Sequence, residues 1–285
     1  MSALYVCATP IGNLEDVTLR LLRVLREVAV IGAEDTRRTR RLCARYGIET
    51  PLVSCHEHNE EARAREFLAH LAAGRPVAYV TDAGTPGIAD PGPALVRRVR
   101  AAGYPVVPVP GPSAATAALS VSGFAADAFC VEGFLPRKGR ARREALARLA
   151  EQTRPVVLFE APHRILATLD DLGRHLGDRL LCVARELTKE HETIHVGPAR
   201  LAAEALGPDA ARGEFTLVVG PAQPEDGEPA GGDAGTGADE LPLVEEVALL
   251  VAAGLPEREA IRRVARGHGL PRRLVYSRVK GEGGR

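Results

Sequence analysis

The sequence predicts an α/β protein built on a mostly parallel, helix-covered sheet. Three observations carry this prediction. Short apolar runs alternate with stretches at helical spacing through the first 120 residues. One run, Val77-Ala78-Tyr79-Val80, empties into Thr81-Asp82-Ala83-Gly84-Thr85-Pro86-Gly87-Ile88-Ala89-Asp90-Pro91-Gly92, where Gly, Pro and Asp dominate and neither helix nor strand can continue. Two shorter loops repeat the theme: Ala8-Thr9-Pro10-Ile11-Gly12-Asn13 and Pro110-Gly111-Pro112-Ser113-Ala114. Open α/β sheets bind ligands outside the carboxyl ends of their strands, so these three loops are the first candidate site.

The elements follow in order. Residues 4–8 read as a strand, 17–28 as an amphipathic helix, and 29–33 as a second strand ending at Glu34-Asp35-Thr36-Arg37. A helix over 36–46 closes at Gly47. A short strand over 52–55 precedes His56-Glu57-His58-Asn59-Glu60, where Asn59 is a candidate cap for a helix over 60–73. The strand over 77–81, the long loop, a helix over 93–102 and a strand over 105–108 come next. Residues 113–121 are small and apolar, a buried helix. In a second block, strands over 129–134, 155–160, 180–186, 191–196 and 215–219 alternate with helices over 142–152, 164–175 and 199–206. Its β-branched strands lie close together, which fits a mixed sheet. Residues 221–239 hold five acids, no base and no large apolar side chain, and read as a flexible linker. Three short helical patterns, 241–253, 257–266 and 270–279, make a mildly basic appendage. The division is thus 1–120, 121–220, linker 221–239 and appendage 240–285.

Composition narrows the class. The 285 residues exceed ordinary single-domain size, and no run approaches the roughly 18 apolar residues a membrane span needs. No signal peptide is visible. Five scattered cysteines without C-x-x-C spacing argue for a reducing cytoplasm and against a disulfide framework or a cysteine-based zinc site. Net charge is zero, but only three of 37 basic residues are lysines, and arginines cluster around 37–41, 137–143 and 272–273. Such patches suit phosphates, and they equally suit solvated helix faces.

Two motifs resemble metal sites. His191-Glu192-Thr193-Ile194-His195 matches the H-E-x-x-H pattern, which needs a helix to bring both imidazoles to one face. Thr193, Ile194 and Val196 favour a strand, Gly197-Pro198 would end a helix early, and no third ligand is near, so no metal is expected. The 56–60 segment is read as a cap and site wall. Neither G-x-G-x-x-G after the first strand nor G-x-x-x-x-G-K-S/T is present, which excludes the usual pyrophosphate cradles. Proline-stiffened loops with few free N–H groups suit a ligand held by shape, such as S-adenosylmethionine.

The segments LYVCATPIGNLEDVTLR, AEDTRRTRRL, SCHEHNE, VTDAGTPGIADPG, VPVPGPSAATAAL, GFLPRKGRAR, LFEAPHRI, VARELTKEHE and GEFTLVV run in order from about residue 4 to 220. Together they resemble the ribosomal RNA small subunit methyltransferase I family, which is similar to the tetrapyrrole methylases. The tail resembles that family's C-terminal piece more loosely. The resemblance implies two α/β domains of tetrapyrrole methylase type (class III methyltransferase) with a small C-terminal helical appendage, and S-adenosylmethionine in the cleft. It implies 2′-O-methylation of a cytidine in the decoding region of 16S ribosomal RNA, by a cytoplasmic homodimer acting on the RNA or the small ribosomal subunit. Relatives usually carry an aromatic residue where His195 stands, which makes the zinc-like motif an accident of this chain.

By the same analogy, Pro10, Thr85, Ile88, Ser113, Ala114, Phe159, Ala184, Phe215 and Thr216 line the cofactor, while Asp82, Gly84, Pro86 and Gly87 shape its floor. Arg37, Arg40, Arg137, Lys138, Arg140 and Arg164 hold RNA phosphates. The base for the 2′-hydroxyl proton is left among Glu34, Asp35, Glu160 and Glu186, all at loop or strand ends. A small-molecule methylase of the tetrapyrrole type and a non-catalytic RNA-binding module are the alternatives.

Overall fold

The computed structural model describes residues 2–207, 212–222, 243–252, 255–267, 270 and 272–281. The chain divides into two units, Met1–Gln223 and Pro224–Arg285.

The first unit holds two five-stranded sheets. One is formed by β1 (Leu4–Cys7), β2 (Val30–Ala33), β3 (Leu52–Ser54), β4 (Val77–Val80) and β5 (Val106–Val109), in the order β3-β2-β4-β1-β5 and parallel throughout. Side chains alternate between its faces, and both faces are apolar. Ile31, Ala78 and Val80 meet Leu21, Val24 and Leu25 of α1 (Leu19–Glu27) and Leu42 and Cys43 of α2 (Thr36–Arg45). Val30, Val77 and Tyr79 meet Phe67 and Leu71 of α3 (Glu60–Ala72) and Leu95 and Val99 of α4 (Pro93–Ala101). The neighbours β1 and β4 therefore send their chains to opposite faces, which leaves a crevice at their carboxyl ends.

The second sheet runs β6-β7-β10-β8-β9, from β6 (Cys130–Phe134), β7 (Val156–Glu160), β8 (Leu180–Arg185), β9 (Thr193–Pro198) and β10 (Phe215–Val219). Only β6 and β7 are parallel; the other pairs are antiparallel. One face packs on α6 (Gly139–Glu151), α7 (Ile165–Leu176) and α8 (Ala199–Leu206). The other takes α5 (Ala114–Val121), whose Ala115, Ala118 and Leu119 press on Val157, Cys182, Ala184 and Val218. That helix runs across the expected boundary at residue 120 and packs on the second sheet, where its small side chains admit close approach.

Local signals set the element ends. Thr18 caps α1 by accepting the Leu21 N–H, and Asp35 caps α2 by accepting the Arg37 N–H. Asn59 does not cap α3. Its Oδ1 accepts from the His56 N–H at 2.9 Å and its Nδ2 donates to the Ser54 carbonyl, so it ties the preceding turn instead. His195 stands on β9, so the H-E-x-x-H segment has no helical face to present.

In the second unit, α9 (Leu243–Ala252), α10 (Glu257–Gly267) and α11 (Arg272–Gly281) bury Val247, Ile261, Val264 and Val275 together. Lys280 of α11 bonds Glu257 of α10 at 2.7 Å. Of the segment 221–239, read as a linker, residues 223–239 lie outside the described residues.

One close approach in the first sheet yields a prediction. A Cβ at Gly32 would meet the Phe67 ring at 2.4 Å, and that ring is wholly buried. Gly32→Ala should lower stability by about 1–3 kcal/mol through overpacking, visible as an earlier urea midpoint. An unmoved midpoint would contradict this packing.

Candidate functional site

The three Gly/Pro loops meet where β1, β4 and β5 end. The Thr9 N–H donates to the Gly84 carbonyl at 2.9 Å, and the Gly84 N–H returns the bond to Thr9 at 3.0 Å. Gly84 holds φ at +72°, a left-handed conformation that glycine adopts without strain. Thr85 Oγ1 donates to the Pro112 carbonyl at 3.2 Å and so ties the second loop to the third. The backbone of Asn13 donates to Thr188 Oγ1 at 3.0 Å, which joins the β1 loop to the segment after β8. Both sheets thus contribute to one cavity of about 460 Å³.

From the first sheet, Asp82, Gly84, Thr85, Ile88, Ser113 and Ala114 line this cavity, as does Glu34. From the second sheet come Phe159 and Glu160 at the end of β7 and Phe215 and Thr216 at the start of β10. Pro10, Pro86, Gly87 and Ala184 are not among the lining residues. Ala184 is sealed beneath α5, and a side chain at Gly87 would point toward Pro93. Residues that the sequence reading passed over also reach the cavity: Ile11, Arg38, Asp90, Phe134 and Lys189. Phe134 leans on Phe159 with ring centroids 5.9 Å apart, a pairing made across β6 and β7. Asp90 lies inside the long loop, and Ala89 before it has φ at +60°, a strained setting for a residue with a side chain.

The carboxylates sort by their surroundings. The Arg37 guanidinium grips the Asp35 carboxylate and, with the Arg37 amide, holds it down at about 2. Burial would raise Glu186, but Lys189 at 2.8 Å and the Glu214 amide outweigh it and hold that carboxyl low. Glu160 is 3% exposed, with both oxygens occupied: one accepts from Thr168 Oγ1 at 2.6 Å, the other from the Ala161 N–H at 2.9 Å with Arg164 at 3.3 Å. Glu34 is raised by burial, against the Asp82 amide that donates to it at 3.3 Å. Asp90 is pushed up to about 6 by burial and by the nearby Glu34 and Asp82 charges. Asp82 itself accepts the Asp35 N–H at 2.9 Å and faces Arg38 at 3.6 Å.

The arginines divide as well. Arg37 is spent on Asp35, and Arg40 borders a separate hollow of about 250 Å³ beside Cys43 and Ile48. Arg140 pairs with Glu144 along α6. Arg137, Lys138 and Arg164 line a second groove of about 520 Å³. Among the described residues, no group of three His, Cys, Asp or Glu side chains is placed to hold a metal ion.

Residues 3–203 match the family described as Tetrapyrrole (Corrin/Porphyrin) Methylases. The chain is 46% identical over 277 residues to "Ribosomal RNA small subunit methyltransferase I" of Synechocystis sp., covering 97% of this chain and 96% of the relative. It is 43% identical over 279 residues to the Pseudomonas aeruginosa protein of the same name, with the same coverage. Solved structures share the fold at lower identity. The methyltransferase CobJ aligns with a TM-score of 0.59 at 23% identity, over 78% of this chain and 95% of that one. Uroporphyrin-III C-methyl transferase from Thermus thermophilus, complexed with S-adenyl homocysteine, aligns with a TM-score of 0.55 at 22% identity, over 77% and 97%. Near-full-length identity above 40%, on a two-sheet fold shared with those methylases, makes the chain a member of the ribosomal RNA small subunit methyltransferase I family.

Proposed function

We propose that this protein uses S-adenosylmethionine to methylate the ribose 2′-oxygen of a cytidine in the decoding region of 16S ribosomal RNA. The observation that carries the reading is the near-full-length likeness to relatives bearing the ribosomal RNA methyltransferase name. The enzyme works in the cytoplasm on the RNA or the small subunit. A homodimer belongs to the same reading, supported by the exposed apolar Ile194 and Val196 on the edge strand β9.

The cavity fits the methyl donor. Its volume lies in the range of small-molecule sites. Ile11, Ile88, Phe159 and Phe134 offer apolar walls for a purine, and Glu34, Asp82 and Asp90 offer negative charge for a sulfonium and an amino group. When bound, S-adenosylmethionine supplies an electrophilic methyl on a good leaving group, so most of the remaining barrier is one of positioning.

The chain's residues then have separable tasks. The Thr9–Gly84 and Thr85–Pro112 bonds hold the donor's side of the cavity still. Phe159, Phe215 and Thr216 close it from the second sheet and exclude water. Asp90 takes the proton from the ribose hydroxyl: it stands on the cavity wall, and burial with the Glu34 charge pushes its carboxyl up to about 6. Glu34 keeps Asp90 basic by its charge. Asp35, Glu160 and Glu186 are committed to cations or buried donors and serve structure.

Mapping ribose methylation on 16S RNA from a strain lacking the protein should show one cytidine mark lost; an unchanged map would sink the reading. Rate measured against pH should rise as Asp90 loses its proton, half-maximal at about 6. Asp90→Asn should remove that limb and about 10²-fold or more of kcat, whereas Glu34→Gln, by deleting a neighbouring negative charge, should move the limb to lower pH. A limb that survives Asp90→Asn assigns the proton elsewhere.

A further inference from the structure

The second groove lies on the other side of one protein wall from the cavity. Glu160, Ala161 and Pro162 line the cavity, while His163 and Arg164, next in the chain, line the groove. Thr168 faces the groove and donates to Glu160 Oε2 at 2.6 Å, so a single hydrogen bond spans the wall.

The groove is built rather than incidental. Arg142 is 8% exposed and forms its floor, with every arm engaged. Its Nε donates to Asp171 at 2.7 Å, its Nη1 to the Pro136 carbonyl at 3.0 Å and its Nη2 to Thr168 Oγ1 at 3.0 Å. Arg164 Nη2 donates to the Leu135 carbonyl at 2.7 Å. The loop carrying Arg137 and Lys138 is therefore held at two carbonyls, by the buried Arg142 and the half-buried Arg164.

The charge is unbalanced. Asp171 is the one carboxylate among the groove's lining residues, and Arg142 occupies it. Arg137, Lys138 and Arg143 are exposed, and no side chain among the described residues pairs with them. Three free cations on a rigid floor match a string of phosphates, since each phosphate contact releases condensed counterions. A tetrapyrrole-sized substrate confined to the cavity would leave them without a partner.

We propose that this groove, lined by Arg137, Lys138 and Arg143, holds backbone phosphates of the RNA strand whose ribose enters the cavity beyond the 160–164 wall. This rests on the RNA methyltransferase reading. The groove sets which strand and which register reach the cavity, while base identity is read elsewhere.

The test uses the full-length protein, small ribosomal subunits lacking the mark, and the double variant Lys138→Ala/Arg143→Ala. Arg148→Ala, on the same helix but ion-paired to Glu132 outside the groove, is the control. The double variant should raise KM for subunits by roughly tenfold. Its log–log salt dependence should become shallower by roughly 0.7–0.9 per cation removed. Its affinity for S-adenosylmethionine, read by calorimetry, should not move, and Arg148→Ala should match the parent. An unchanged KM and salt slope in the double variant would overturn the proposal, as would an equal loss in Arg148→Ala. If the parent protein itself transfers no methyl to subunits, the RNA reading fails before the groove is tested.

Discussion

The reciprocal backbone pair between Thr9 and Gly84 is the constraint on which the site depends. Parallel strands β1 and β4 end side by side, and beyond their ends no ladder remains to satisfy the backbone. Buried N–H and C=O groups there need partners. One antiparallel bridge supplies them, and it forms only because Gly84 accepts a left-handed φ. The bridge fixes the β1 loop to the β4 loop at the point where their helices part to opposite faces. Thr85 extends the tie to the β5 loop, and the Asn13–Thr188 bond carries it to the second sheet.

On that rigid frame, chemically equal carboxyl groups acquire different uses. Asp35 and Glu186 sit beside cations that keep them ionised. Glu34 and Asp90 are both raised by burial in a shared wall; the Glu34 charge adds to the rise at Asp90, while Arg38 opposes it at Glu34. Like charges brought together out of water cannot all ionise freely, so Glu34 and Asp90 hold their protons more tightly than Asp35 and Glu186 do. The position of Asp90 owes much to the strained backbone at Ala89. The proline and glycine content that makes the loop stiff is thus also what aims Asp90.

Much of this architecture is legible in the sequence, for identifiable reasons. Val77-Ala78-Tyr79-Val80 is apolar at every position because both faces of β4 are covered, and such runs announce a parallel sheet. Glycine and proline mark where strands deliver a site. What is hidden is what depends on partners distant in the chain. The packing of α5 on the second sheet leaves no local mark, since small apolar residues suit any close contact. Ala184 alternates along β8 to the α5 face, and only the strand order reveals that this face is sealed. Asn59 has the composition of a cap, but its amide prefers the turn behind it, where Ser54 and His56 offer nearer groups. Asp90 looks in sequence like any other loop acid, because its character comes from burial in the folded wall and from Glu34 and Asp82, 56 and 8 positions away.

The buried charges around Glu160 show the same logic from the groove's side. Removing the Glu160 carboxylate and the Arg142 guanidinium from water is costly, and a wall built only for stability would be cheaper in apolar side chains. Here each polar arm instead fixes a separate stretch of backbone: Arg142 holds Pro136, Arg164 holds Leu135, and Glu160 holds the turn at Ala161. Apolar packing would fill the same volume without directing those carbonyls. Under the proposed assignment, directionality is what a wall between a phosphate groove and a reaction cavity requires, because an error in the wall would displace the ribose hydroxyl from its methyl donor. A misplacement of about 1 Å is enough to cost roughly 10²-fold in rate, far more than an exposed ion pair can contribute to binding.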